Sequence, residues 1–147
     1  MAESAHERIT VNAAPDEVYG VAIDFGNYPR WAKDVKSAQV LSTDEDGRGL
    51  QVEYRAAAMG RSMRYVLEYD YSDAPDAFRW QLLEGDMLRR LDGQYAFAAD
   101  GDSTRVTYDL AVELAIPLPG LIKRRASGLI MGNALRELKN ECERGRS

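Results

Sequence analysis

From Val35 onward the chain alternates apolar and polar residues with a period of two for about eighty residues. No other feature constrains the fold as much, because such a period specifies strands with one buried face. Turn signals interrupt the run at Asp44-Glu45-Asp46-Gly47, Met59-Gly60, Asp73-Ala74-Pro75-Asp76, Glu84-Gly85-Asp86 and Asp100-Gly101-Asp102. Glycine supplies positive φ, proline a fixed φ and aspartate a local acceptor, so each signal has a mechanism. Five such turns divide the run into six consecutive antiparallel strands. One face carries Leu50, Val52, Tyr54, Ala56 and Ala58, then Met63, Tyr65, Leu67, Tyr69 and Tyr71. It continues with Phe78, Trp80 and Leu82, with Leu91, Tyr95 and Phe97, and with Val106, Tyr108, Leu110, Val112 and Leu114. The opposite face carries Gln51, Glu53, Arg55, Arg64, Glu68 and Asp70, the pattern of a sheet wet on one side only.

At the C-terminal end the period changes to that of a helix. Leu118, Ile122, Ala126, Ile130, Ala134, Leu138 and Cys142 recur every fourth residue, and Leu121, Leu129 and Leu135 widen the stripe. Pro117 and Pro119 suit the start of this helix and Gly145 its end. Its length would be roughly 40 Å, enough to cross a small domain.

Ahead of the alternating run, Arg8-Ile9-Thr10-Val11 reads as a first strand. Pro15, followed by Asp16 and Glu17, opens a helix that Gly26 is expected to stop, and Asn27-Tyr28-Pro29-Arg30-Trp31 begins a second, short one. The order predicts an α+β architecture: a strongly curved seven-stranded antiparallel sheet wrapped around a long C-terminal helix, with two short helices after strand 1. Its 147 residues are expected to form a single domain spanning residues 1–147.

A net charge of −5 argues against nucleic-acid binding, which depends on a basic face. The single cysteine, Cys142, excludes an internal disulfide and fits a reducing compartment. Neither a secretory leader nor a membrane-spanning run is expected, and the protein is placed in the cytoplasm. No phosphate-cradling glycine loop and no metal-ligand cluster occur in the sequence, so no cofactor is expected. Asp44-Glu45-Asp46-Gly47 lacks the closing glutamate of a calcium loop and is expected to be a hairpin turn. His6, the only histidine, has no orienting carboxylate that the sequence can assign, and is expected at the surface.

The element order, and the segments Val11-Asn12-Ala13-Ala14-Pro15-Asp16-Glu17-Val18-Tyr19, Asp24-Phe25-Gly26-Asn27-Tyr28-Pro29-Arg30-Trp31 and Ile116-Pro117-Leu118-Pro119-Gly120-Leu121, resemble a known group. It is the START-related helix-grip superfamily, which includes polyketide cyclases/dehydrases, coenzyme Q-binding proteins and Bet v 1-like proteins. The resemblance implies an elongated apolar cavity between sheet and terminal helix, holding a lipid-like, isoprenoid, quinone or polycyclic molecule. The cyclase branch carries an inward arginine in the strand aligned with Arg61 to Asp70; the matching position here is Tyr69, which puts cyclisation in doubt. Arg89 is the alternative inward arginine, though a solvated turn position suits it better.

The candidate ligand-binding residues are Trp31, Tyr54, Tyr65, Leu67, Tyr69, Trp80, Leu82, Tyr95, Tyr108, Ile122 and Ile130. Aromatic side chains fill ordinary cores, but buried tyrosine hydroxyls need partners, and a partly hydrated pocket supplies them. Trp31 could cap the pocket mouth. Leu118 and Leu121 with Lys123, Arg124 and Arg125 form an apolar tip with a basic collar, suited to transient contact with an anionic membrane. Two functions follow: binding of a hydrophobic small molecule without catalysis, or cyclase/dehydratase chemistry on a polyketide chain. The sequence favours binding, since no acid–base pair faces inward, and leaves the oligomeric state open.

Overall fold

The computed structural model describes residues 3–58, 61–86, 88–115, 119, 121 and 134–144. Strand β1 (Glu3–Val11) leads into helix α1 (Pro15–Ala22), a 3-10 turn (Phe25–Asn27) and helix α2 (Tyr28–Trp31). Six strands follow in a meander: β2 (Val35–Thr43), β3 (Gly49–Ala58), β4 (Arg61–Asp70), β5 (Ala77–Gly85), β6 (Leu88–Asp100) and β7 (Ser103–Leu114). Residues 134–143 form a C-terminal helix, α3. All pairings are antiparallel, and the curved sheet has the order β1-β7-β6-β5-β4-β3-β2. Among the described residues no helix is long and apolar enough to cross a membrane.

The turns form as their residues dictate. Asp44 accepts the N–H groups of Asp46 (3.0 Å) and Arg48 (2.9 Å) on one carboxylate oxygen and Arg48 Nε (2.8 Å) on the other. Gly47 takes a φ of 81° and Gly101 one of 63°, conformations that cost a side-chain-bearing residue energy. Asp44-Glu45-Asp46-Gly47 is thus the expected hairpin turn, built around its own arginine.

Alternation translates directly into burial. Val52, Tyr54, Tyr69, Phe78, Val106 and Val112 are all buried in one continuous core cluster. From α3, Leu135, Leu138 and Cys142 join that cluster with Ala134 beside them, while Arg136 and Asn140 are exposed, so the predicted stripe faces the sheet here. The remainder of the predicted helical run, including Ile122 and Ile130, lies outside the described residues. Lys139 Nζ reaches the Thr10 carbonyl (2.9 Å) and the Glu143 carboxylate (2.6 Å), and Glu143 also accepts the Asn12 N–H (2.8 Å). These bonds fasten α3 to the end of β1.

Two boundaries differ from expectation. Strand β1 begins at Glu3 rather than Arg8, because the long β7 offers pairing partners as far as Glu3↔Val112. Helix α1 ends at Ala22, well before Gly26, which lies inside the 3-10 turn. Phe25 turns into the core there, stacking on Tyr69 with ring centroids 4.2 Å apart, and the Tyr28 hydroxyl donates to the Ala22 carbonyl. A continued helix would have carried Phe25 out of that slot.

Strands β1 and β2 are the two edges of the sheet, and the α1–α2 segment runs from one to the other across its concave side. That crossing leaves a partly enclosed space between α2, the inward sheet face and α3.

Candidate functional site

The space is a cavity of about 170 Å³. Tyr54, Tyr65, Leu67 and Tyr69 line it from β3 and β4, and Trp80, Tyr95 and Tyr108 from β5, β6 and β7. Tyr28 and Trp31 of α2 close one side with ring centroids 4.9 Å apart, and Ala134 and Glu137 of α3 contribute the other. Eight of the expected residues are therefore brought together: Trp31, Tyr54, Tyr65, Leu67, Tyr69, Trp80, Tyr95 and Tyr108.

Leu82 is a correction. Strand β5 pairs with β6 only from Ala77 to Trp80. Beyond that point the Leu82 N–H donates to the Asp92 carboxylate (3.0 Å) instead of a ladder carbonyl, and the strands part. The Leu82 side chain lies over Gly85, at 3.3 Å from where a Cβ would stand, and does not reach the cavity wall. Ile122 and Ile130 lie outside the described residues, as do Leu118, Lys123, Arg124 and Arg125 of the basic collar; Leu121 is 63% exposed.

At Gly93 the Trp80 ring packs directly against the backbone of the sheet. A Cβ there would stand 2.4 Å from the Trp80 ring and 2.7 Å from the Asp109 carbonyl oxygen. The aromatic wall is continuous: Tyr54 stacks on Tyr65 (5.3 Å), Trp80 contacts Tyr108 (5.8 Å), and Tyr95 contacts Tyr108 (4.7 Å).

The hydroxyls divide into two groups. Tyr54 and Tyr69 share a hydrogen bond at 2.7 Å. Those of Tyr65, Tyr95 and Tyr108, all on the wall, find no hydrogen-bond partner among the described residues. Burial raises the Tyr65 pKa to about 12 and pushes Tyr54, Tyr69, Tyr95 and Tyr108 well above the ordinary range. Every one is a neutral O–H at physiological pH, able to donate to a carbonyl and unable to act as a base. Tyr71, also expected inward, follows the end of β4 instead; its hydroxyl donates to the Gly49 carbonyl (2.6 Å) and Arg48 covers its ring.

Position 69 on β4 is a buried tyrosine, and no arginine occurs among the described residues of the wall. Arg89 is 70% exposed and lies 3.8 Å from Glu113. His6 is exposed as expected, but the structure supplies the carboxylate that the sequence could not: its Nδ1 bonds to Asp109 across the β1–β7 pairing.

Sequence reasoning missed Met63, Leu88, Leu91 and Leu110, which complete the apolar wall, and Asp34 and Glu137, which bring carboxylates to it. Met63, Leu91 and Leu110 stand on the inward face of the alternation, whereas Leu88 is three residues from Leu91, across a register shift, and falls out of that period. Asp34 and Glu137 carried no local signal, since helix and loop meet only in the folded chain.

The family described as polyketide cyclase / dehydrase and lipid transport matches residues 2–143. The chain belongs to this family. Among solved structures it is similar to a START superfamily protein from Mycobacterium smegmatis (24% identity, TM-score 0.89, covering 95% of this chain and 97% of that one). A protein from Thermus thermophilus gives 26% identity and a TM-score of 0.82 over 99% of this chain and 100% of that one. The Zhui aromatase/cyclase from Streptomyces sp. R1128 gives 16% identity and 0.84 over 98% and 95%. A comparison with curated proteins returns no match.

Proposed function

We propose that the chain, acting as one domain, binds a hydrophobic small molecule in the cavity between sheet and terminal helix and carries it in the cytoplasm without chemical change. A single observation carries this reading: the aromatic wall encloses about 170 Å³ and presents three tyrosine O–H groups with no partner among the described residues. Apolar burial at about 25 cal/mol per Å² drives association. The hydroxyls orient one polar acceptor, such as the carbonyl of a quinone or of a lipid-like ketone. Membership of a family described by both cyclisation and lipid transport supports a carrier role as much as catalysis.

The second reading, polyketide cyclisation, draws support from the likeness to the Streptomyces aromatase/cyclase. Against it stands Tyr69 at the arginine position, with no arginine among the described residues of the wall. An apolar tip at Leu118 and Leu121 with Lys123, Arg124 and Arg125 would let the carrier touch an anionic membrane during exchange.

Native mass spectrometry of purified protein tests the proposal. A co-purified quinone, isoprenoid or other apolar molecule is the expected result. An empty protein that turns over a poly-β-ketone overturns it in favour of the cyclase.

A further inference from the structure

The described lining of the cavity contains two carboxylates, Asp34 and Glu137, and no lysine, arginine or histidine. Asp34 is exposed, and its backbone carbonyl accepts the Ala57 N–H at 2.8 Å. Glu137 is held differently. It shares a helix face with the wall residue Ala134, one turn away, and its Oε2 accepts the Lys33 N–H at 2.8 Å. That bond fixes the carboxylate where α3 meets the loop after α2, while Oε1 takes no donor among the described residues. On the facing wall, the Tyr95 hydroxyl is pushed up by burial first, then by Tyr28, Cys142 and Glu137, which puts the carboxylate within electrostatic reach of the cavity.

We propose that Glu137 accepts a hydrogen bond from the ligand, so that the cavity selects uncharged aromatic molecules of one or two rings bearing a hydroxyl and rejects carboxylates. The inference rests on the reading that this cavity binds a ligand. A ring system fits the tyrosine and tryptophan wall, and a cavity of about 150 Å³ is known to hold a benzene ring. A hydroxyl directed at α3 meets the lone pairs of Glu137 Oε1. A ligand carboxylate would meet a fixed negative charge instead, in a place where no described cation compensates its lost hydration. Fatty acids and aromatic acids are disfavoured by the same carboxylate, that of Glu137, that admits a phenol.

Three probes of similar size separate the alternatives: 2-naphthol, 2-methoxynaphthalene and 2-naphthoate, titrated into wild type and Glu137→Gln. Glutamine keeps an acceptor for the Lys33 N–H and turns an N–H donor toward the cavity. Wild type is expected to bind 2-naphthol about tenfold or more tighter than 2-methoxynaphthalene, since hydrogen bonds to charged groups are the strong ones. It is expected to bind 2-naphthoate most weakly. In Glu137→Gln the preference for naphthol over its methyl ether falls and naphthoate binding rises, while binding of 2-methoxynaphthalene shows that the variant is folded. Equal binding of naphthol and its methyl ether by wild type overturns the role of Glu137 and leaves the cavity reading standing, and it does so without the variant. Failure of all three probes to bind wild type overturns both.

Discussion

The hydroxyls of Tyr54 and Tyr69 meet at 2.7 Å on adjoining inward positions of the sheet, each the other's partner in a buried place. Their strands are adjacent, yet the two residues are not paired in register: Tyr54 stands opposite Tyr65 and Tyr69 opposite Trp80. The bond therefore runs obliquely across the wall. Tyr54→Phe or Tyr69→Phe leaves one hydroxyl buried without its partner and is expected to cost about 1–3 kcal/mol. The double variant is expected to cost less than the sum of the two, and urea unfolding of all four proteins measures the coupling.

Gly93→Ala is expected to be among the most damaging small substitutions. The new methyl has Trp80 on one side and the Asp109 carbonyl on the other, so relief requires moving the indole off the floor of the cavity. A loss of about 1–3 kcal/mol is expected from overpacking, with weakened ligand binding beyond it. Gly26→Ala, where nothing lies within 4 Å, is the control and should unfold close to wild type.

Alkali should unfold the protein early and cooperatively. In the folded state burial raises the tyrosine pKa values, that of Tyr65 to about 12, whereas the unfolded chain ionises near the ordinary value of about 10. The unfolded state therefore releases protons first, and stability present below about pH 10 is lost as pH rises toward the folded values. Tyrosinate absorbance and circular dichroism should change together, and a gradual rise in absorbance with structure intact would contradict the buried wall.

Acid acts through Glu143. Its carboxylate is held below the ordinary range by the bond from Lys139 and then by the Asn12 N–H. The stability it contributes is present above the unfolded pKa of about 4.3 and is lost as pH falls through the lower folded value. Glu143→Gln should therefore unfold at lower temperature than wild type at pH 7, with the difference shrinking below about pH 4. Thermal melts across that range give the answer.

Charge reversal at the basic collar, Lys123→Glu/Arg124→Glu/Arg125→Glu, should abolish binding to vesicles containing phosphatidylserine. Each basic residue near such a surface contributes about 1 kcal/mol, so a loss of more than a hundredfold is expected from three reversals. Co-sedimentation unchanged by the reversals would remove membrane contact from the mechanism.

The sheet was legible because its signal is local. Tyr54, Tyr65, Tyr69, Tyr95 and Tyr108 announce their face through their immediate neighbours, and Asp44 and Gly47 carry the chemistry of their own turn. What escaped depends on distant partners. His6 and Asp109 are joined across 103 positions, and Glu137 and the Lys33 N–H across 104, so neither pairing leaves a trace in its own segment. Leu82 keeps the alternation and its pairing with Leu67 of β4, but on its β6 side the ladder has given way to a bond from its N–H to the Asp92 side chain. Period alone cannot register where two strands diverge.

The covering of the concave side by the α1–α2 crossing separates two duties within the molecule. None of the strand pairings from β1 to β2 is made by α2, a four-residue helix whose residues are none of them fully buried. A guest entering past Trp31 and Tyr28 would have to break the Tyr28–Ala22 bond and its ring contacts with Phe25 and Tyr54, but no strand pairing. Door and frame are different parts of the chain, and the door is latched by its own bonds and not by those of the walls.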